Sequence, residues 1–344
     1  MAVCQEPFGS TRDGRPVDKL TLRRGALVAE VITYGAALRA LRVPDKCGGS
    51  VDVVLGYDAA AGYEENGGYV GAVVGRYANR IAGARCLIDG RSVPLVPNEG
   101  EKQLHGGPDG FSIQVFTVEE LTENRAVLSY AEPDGGGGFP GRLEARVTYE
   151  LTERQGLSIR YEAVSDKPTH CNMTNHAYFN LNGSGGVLGH RLWLAAGRFT
   201  PVGGDSIPLE MARSVEGTPF DFTTEKPLGR DIGGEDEQLK NVGGYDHNFV
   251  LDPAQGLRLA ARLTGEHSGI VMETWTEKPG VQVYTGNFLQ ARGGKGGEDY
   301  GPRRAVCLET QFFPDSPNHP EWGDVLLRPG RRYDYTTEYR FSVT

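Results

Sequence analysis

Three stretches of this chain alternate apolar and polar residues with a period of two. In 143–151, Leu143, Ala145, Val147, Tyr149 and Leu151 share one side, and Glu144, Arg146, Thr148 and Glu150 the other. In 157–163, Leu157, Ile159, Tyr161 and Ala163 repeat the pattern. In 333–343, Tyr333, Tyr335, Thr337, Tyr339, Phe341 and Val343 do so again. Successive side chains of a strand point to opposite faces, so each stretch reads as a half-buried antiparallel strand. The first two are expected to form a hairpin over Glu153 to Gly156, and Asp89-Gly90 to turn a second one. No segment carries a long 3.6-residue period. Only short helical turns are expected, around 67–75 and 221–232. The chain holds 49 Gly and 20 Pro, a fifth of its 344 residues. Both are poor in helix interiors, which favours short strands joined by many turns. The expectation is one large all-β domain over 1–344, built as an antiparallel β-sandwich.

The same composition narrows function. The formal charge is −9 at pH 7, with 36 Lys and Arg against 45 Asp and Glu. An acidic surface disfavours nucleic acid and anionic membrane as partners and leaves a neutral small molecule open. No apolar run approaches the ~20 residues of a membrane helix. The start of the chain shows no signal-peptide pattern. The five cysteines (4, 47, 86, 171, 307) are scattered and odd in number. They read as reduced, buried small hydrophobes in a cytoplasmic protein, with no metal ribbon or disulfide framework.

Five segments gather turn residues, aromatics and ionisable groups. They are Gly75 to Ile81 (GRYANRI), Gln103 to Gly107 (QLHGG), Thr174 to Leu181 (TNHAYFNL), Gly244 to Phe249 (GYDHNF) and Leu308 to Asp315 (LETQFFPD). None matches a phosphate loop, a dinucleotide fingerprint, a zinc-protease helix or a nucleophile elbow. Acid–base chemistry without a cofactor or metal is what these residue types offer. It requires two groups whose pKa values are pushed apart. Glu309 lies between the apolar Val306-Cys307-Leu308 and the aromatic Phe312-Phe313, where burial raises a carboxyl toward neutrality.

Together with Pro279 to Asn287 (PGVQVYTGN), and in this order, these segments resemble the aldose 1-epimerase (galactose mutarotase) family over nearly the whole chain. The resemblance implies a large antiparallel β-sandwich that interconverts the α and β anomers of free hexoses such as glucose and galactose. It implies Glu309 as the base that takes the C1 hydroxyl proton and His176 as the acid that protonates the ring oxygen. His105 would assist near that oxygen. Arg80, Asp246 and Gln282 would hold sugar hydroxyls, with Asn79 close by and Tyr178 lining the cleft. Two departures from the family pattern stand out: Phe116 where a Trp is expected, implying altered packing behind His105, and Phe312-Phe313, which would alter a cleft wall.

Plainer roles stand beside these. Arg80 also reads as a structural ion-pair partner, and Asp246 as a turn cap. His247 reads as packing more than as a neighbour of the site, and His170, His190, His267 and His319 as structural or surface histidines. Trp193, Trp275 and Trp322 read as core or rim, with Trp322 able to reach a sugar face. Three other functions are compatible with parts of the pattern. A phosphorylated-hexose 1-epimerase on the same fold would need further basic residues at the cleft, and only Arg76 and Arg80 lie in the motif segments. A glycoside hydrolase would use Asp246 and Glu309 as its carboxylates. A non-catalytic sugar binder would have no use for the Glu309 and His176 pair. The aldose preferred, and the oligomeric state, are not legible in the residues.

Overall fold

The computed structural model describes residues 4–344. The three alternating stretches lie side by side. Leu143–Thr152 and Gly156–Ser165 form the expected hairpin, and Tyr333–Val343 pairs along the other edge of Gly156–Ser165. They sit within a nine-stranded antiparallel sheet. Its strand order is Thr117–Leu121, Arg125–Glu132, Leu143–Thr152, Gly156–Ser165, Tyr333–Val343, Ile270–Thr276, Arg258–Thr264, Arg191–Leu194 and Lys226–Pro227.

A six-stranded antiparallel sheet faces it, ordered Tyr178–Phe179, Val306–Gln311, Gly280–Tyr284, Asp246–Val250, Arg198–Thr200 and Arg213–Ser214. A five-stranded meander from Cys4–Ser10 to Ser50–Asp52 packs beside them. One continuous apolar core joins all three sheets, with Leu22, Val31 and Leu41 from the meander, Val147, Ile159 and Tyr161 from the large sheet, and Phe179, Val283 and Leu308 from the six-stranded sheet. Each such side chain contributes about 1.5–3 kcal/mol on burial. Polar ties cross the same interface. Tyr339 donates to the Leu308 carbonyl at 3.2 Å, and the Thr310 and Thr337 hydroxyls meet.

Asp89-Gly90 turns the hairpin between Arg85–Ile88 and Arg91–Pro94, as the residues predict. The helical turns expected around 67–75 and 221–232 do not form. Those stretches are turns and short extended pieces, and the two short helices lie at Ala60–Glu65 and Glu237–Asn241. In 67–75 the reason is local: Gly67, Gly68, Tyr69 and Gly71 all take positive φ, which breaks a right-handed turn. The cysteines also divide. All five are unpaired, and Cys86, Cys171 and Cys307 are buried, but Cys47 is exposed and Cys4 partly so. Among the described residues no helix is long and apolar enough to cross a membrane.

Candidate active site

The period-two rule places most of the site. On Val306–Gln311, Val306 and Leu308 enter the core, so Cys307 and Glu309 face the other way. Gln282 stands directly across from Glu309, Tyr284 across from Cys307, Tyr178 across from Cys307 on the other flank, and Asp246 across from Tyr284. Cross-strand partners share a face. Four adjacent strands therefore present Tyr178, Cys307, Glu309, Gln282, Tyr284 and Asp246 on one surface.

Two short ladders bring the remaining groups. Thr174–Asn175 pairs with Val73–Val74, and the chain then runs into His176, whose N–H donates to the Ala72 carbonyl at 2.8 Å. Arg80–Ile81 pairs with Gln103–Leu104, which sets Asn79 beside His105. The turn after His105 depends on glycine. Gly106 has φ +91, and a Cβ there would sit 1.9 Å from the Gly75 carbonyl oxygen.

These elements enclose a cavity of about 240 Å³. His105, His176, Glu309, Asp246, Arg80, Asn79 and Tyr178 all line it. His176 Nε2 lies 3.7 Å from Glu309 Oε1, and its Nδ1 lies 3.6 Å from Cys307 Sγ. Its ring leans on Tyr178 with centroids 4.9 Å apart, and on His105 at 5.4 Å. Burial pushes the Glu309 carboxyl well above the ordinary carboxylate range. The nearby Asp246 adds to this, and Arg80 opposes it. Burial pushes His176 down to about 4, and His105 well below its usual value. The ligand atoms of His105, His176 and Glu309 lie within 4.8 Å of one another, a spacing that would also suit a metal ion.

Gln282 is set apart from the other predicted residues. It shares their sheet face but is buried and does not line the cavity, and its Nε2 donates to Asp246 Oδ1 at 2.7 Å. Arg80 is an ion-pair partner and also stands at the cavity. Its Nε and Nη2 donate to the two oxygens of Glu99, at 2.7 and 2.9 Å, while its side chain lines the cavity.

Other wall residues have no counterpart in the sequence reading: Tyr69, Glu99, Tyr284, Phe288 and Gln290. Tyr284 was recoverable, being two residues past Gln282 on the same strand face. Glu99 sits in an ordinary polar turn, which carries no signal. Two expectations fail on position. Phe312 and Phe313 do not form a cavity wall; Phe312 lies over the buried Lys278, with Nζ 4.0 Å from its ring centre. Trp322 is likewise outside, stacked on His319 at 3.9 Å. Phe116 packs in an aromatic group with Phe111 and Tyr130. His247 is buried edge-on against the stacked Phe199 and Phe220, as a packing residue.

The family model for aldose 1-epimerase matches residues 18–340. The chain belongs to the aldose 1-epimerase family. The aldose 1-epimerase of Escherichia coli K12 is 40% identical over 334 residues, covering 96% of each chain. The galactose mutarotase of Bos taurus is 41% identical over 347 residues, covering 100% of this chain and 99% of that one. Among solved structures, an aldose epimerase homologue from C. elegans superposes with a TM-score of 0.89 at 33% identity, covering 95% of this chain and 99% of its own. The antiparallel β-sandwich expected from the alternating strands, and implied by the resemblance to this family, is the fold observed.

Proposed function

We propose that this chain is an aldose 1-epimerase that interconverts the anomers of free hexoses such as glucose and galactose. The observation that carries the reading is the Glu309–His176 pair, 3.7 Å apart at the bottom of a sugar-sized cavity. Glu309 takes the proton of the C1 hydroxyl, and His176 gives one to the ring oxygen. The C1–O bond to that oxygen breaks, leaving an open-chain aldehyde. Rotation about C1–C2 and the reverse transfers close the ring on its other face. Arg80 and Asp246 hold hydroxyls, donating and accepting respectively, with Asn79 and Tyr178 beside them. Gln282 acts at one remove, by orienting Asp246.

The pKa directions support this assignment. Burial disfavours the Glu309 carboxylate and the His176 imidazolium alike. Passing one proton to Glu309 and one from His176 through the sugar neutralises both. The same burial makes that charged pair the scarcer form of the free site, and the reverse transfers on ring closure restore it.

A phosphorylated hexose is served less well. Among the described residues Arg80 is the only Lys or Arg on the cavity wall, and Glu99 already engages it through two hydrogen bonds. Arg76, the other candidate, is fully buried against Glu132, away from the cavity. The core shared by all three sheets supports reading 1–344 as one domain. Five unpaired thiols suit a cytoplasmic setting.

Polarimetry of freshly dissolved α-D-glucose and α-D-galactose tests the activity. Rotation is expected to relax faster with the protein than without it; equal rates would sink the proposal. Glucose 6-phosphate, run alongside, is expected to relax at close to its uncatalysed rate.

A further inference from the structure

The ladder between Arg80–Ile81 and Gln103–Leu104 ends in an irregular pair. His105 N–H donates to the Asn79 carbonyl at 3.1 Å, as a continuing ladder requires. The return bond is different. Asn79 N–H donates to Nδ1 of the His105 ring, also at 3.1 Å, in place of the His105 carbonyl. Both residues stand in the left-handed region, Asn79 at φ 67 and His105 at φ 53. Two adjacent non-glycine residues with positive φ are costly for L-amino acids, and Asn is among the residues that tolerate it best. Asn79 Oδ1 accepts the next N–H, that of Arg80, at 2.8 Å, which holds the bend. The His105 ring is pinned further by Tyr69, edge-on with centroids 4.6 Å apart.

A main-chain N–H can only donate. The Nδ1 it meets must accept, so in the neutral ring the proton resides on Nε2. Nδ1 is engaged by Asn79, which leaves Nε2 as the nitrogen His105 presents to the cavity it lines. We propose that Asn79 is a positioning residue whose main-chain N–H locks His105 as the Nε2–H tautomer, a permanent hydrogen-bond donor to the substrate. His105 then cannot serve as a second base beside Glu309. It meets an acceptor on the sugar, either the ring oxygen or a hydroxyl lone pair. The same proton occupies the position from which His105 would bind a cation, so the three-residue cluster with His176 and Glu309 is set up for a sugar in preference to a metal. Burial holds the ring neutral, which keeps the lock in force at neutral pH. The use of the donor rests on the epimerase reading; the tautomer itself does not.

Nitrogen-15 NMR of the full chain, labelled at histidine and recorded without sugar at pH 7, measures the tautomer directly. The His105 signals are identified by their loss in His105→Gln. The expected result is a proton on Nε2 and an unprotonated Nδ1; a proton on Nδ1, or an even mixture, overturns the proposal. Two variants separate backbone from side chain. Asn79→Gly keeps access to positive φ and is expected to keep the tautomer. Asn79→Val resists positive φ and is expected to give a mixture, with kcat at least about tenfold below the Gly variant. Gly and Val variants alike in both tautomer and rate would also overturn it. Should the Val variant not fold, the wild-type spectrum still decides. An Nε2–H signal in a protein with no mutarotase activity would remove the epimerase reading and leave the tautomer assignment standing.

Discussion

His176 Nε2 and Glu309 Oε1 face each other across 3.7 Å. In the working form of the pair Glu309 is ionised and His176 carries the proton it will donate. Glu309→Gln and His176→Ala should each lower kcat by roughly 10²- to 10⁴-fold, since each removes one positioned proton carrier. His319→Ala is the control: its ring is part-exposed, stacked on Trp322 outside the cavity, and the rate should not change. Polarimetric kcat for the three variants is the measurement. Equal loss in all three would point to misfolding and away from this pair.

The pH profile should be a bell. On the acid side the pair gains a second proton and loses its base. Burial sets His176 at about 4, so the fall in kcat/KM is expected near pH 4. On the alkaline side the pair loses its only proton, at a pH above the ordinary carboxylate range, because burial raises Glu309. Rates corrected for uncatalysed mutarotation across pH 3 to 10 would check this (about the range in which both limbs can be followed). An acid limb at the ordinary histidine value would contradict the assignment.

Stability should move opposite to activity at Glu309. Its folded pKa lies above the unfolded value, so the folded chain binds the proton more tightly. That contribution is complete below the ordinary carboxylate pKa and is lost as pH rises through the folded value. Glu309 Oε2 is also buried without a hydrogen-bond partner. Glu309→Gln is therefore expected to gain about 0.5–2 kcal/mol at pH 8 and little at pH 4. Urea unfolding of both proteins at the two pH values reads it, and a larger gain at pH 4 would reverse the sign argued here.

Glu99 should matter through Arg80. Its two oxygens hold Nε and Nη2 of the guanidinium, leaving Nη1 outside that pair. Glu99→Ala frees a long side chain that must then be ordered by the sugar. KM for galactose is expected to rise roughly tenfold with a smaller change in kcat. A kcat effect as large as that of Glu309→Gln would place Glu99 in the proton chemistry instead.

Arg76 should be a stability residue. Its Nε donates to Glu132 at 2.5 Å, and Nη1 reaches the Pro140 and Gly141 carbonyls and the Thr169 hydroxyl, with both charged side chains almost fully buried. Arg76→Met leaves Glu132 buried and unpaired and is expected to cost about 3–5 kcal/mol. Denaturant titration measures this, and the double variant Arg76→Met/Glu132→Leu should recover much of the loss.

The sheets were legible because their rule is local. Leu143 to Leu151 declares its two faces without reference to any other segment. The site was legible to the extent that its residues lie in marked segments, and Asn79, His105, His176 and Glu309 do. What escaped depends on pairing across long separations. Nothing near Glu99 announces that Arg80 will reach it. Gln282 and Asp246 are 36 residues apart in the chain, and only the register between their strands shows that they are diagonal neighbours on one face. Phe312, expected at a cleft wall from its departure from the family pattern, lies just past the end of the strand Val306–Gln311, where the alternation that places Glu309 has stopped, and it packs over Lys278.

The strand Tyr333–Val343 joins segments that were made far apart in the chain. One edge pairs with Gly156–Ser165 and the other with Ile270–Thr276, and Thr337 and Tyr339 press against Thr310 and Leu308 on either side of Glu309. Until it inserts, the large sheet exists as two halves with exposed edges, and the base has no firm backing. Refolding should therefore be slow, as loop closure over such separations demands. Intermediates lacking this strand should be the aggregation-prone ones. Recovery of mutarotase turnover after dilution from denaturant should lag behind recovery of the 143–165 hairpin, because the active site is complete only when this strand has closed the sheet.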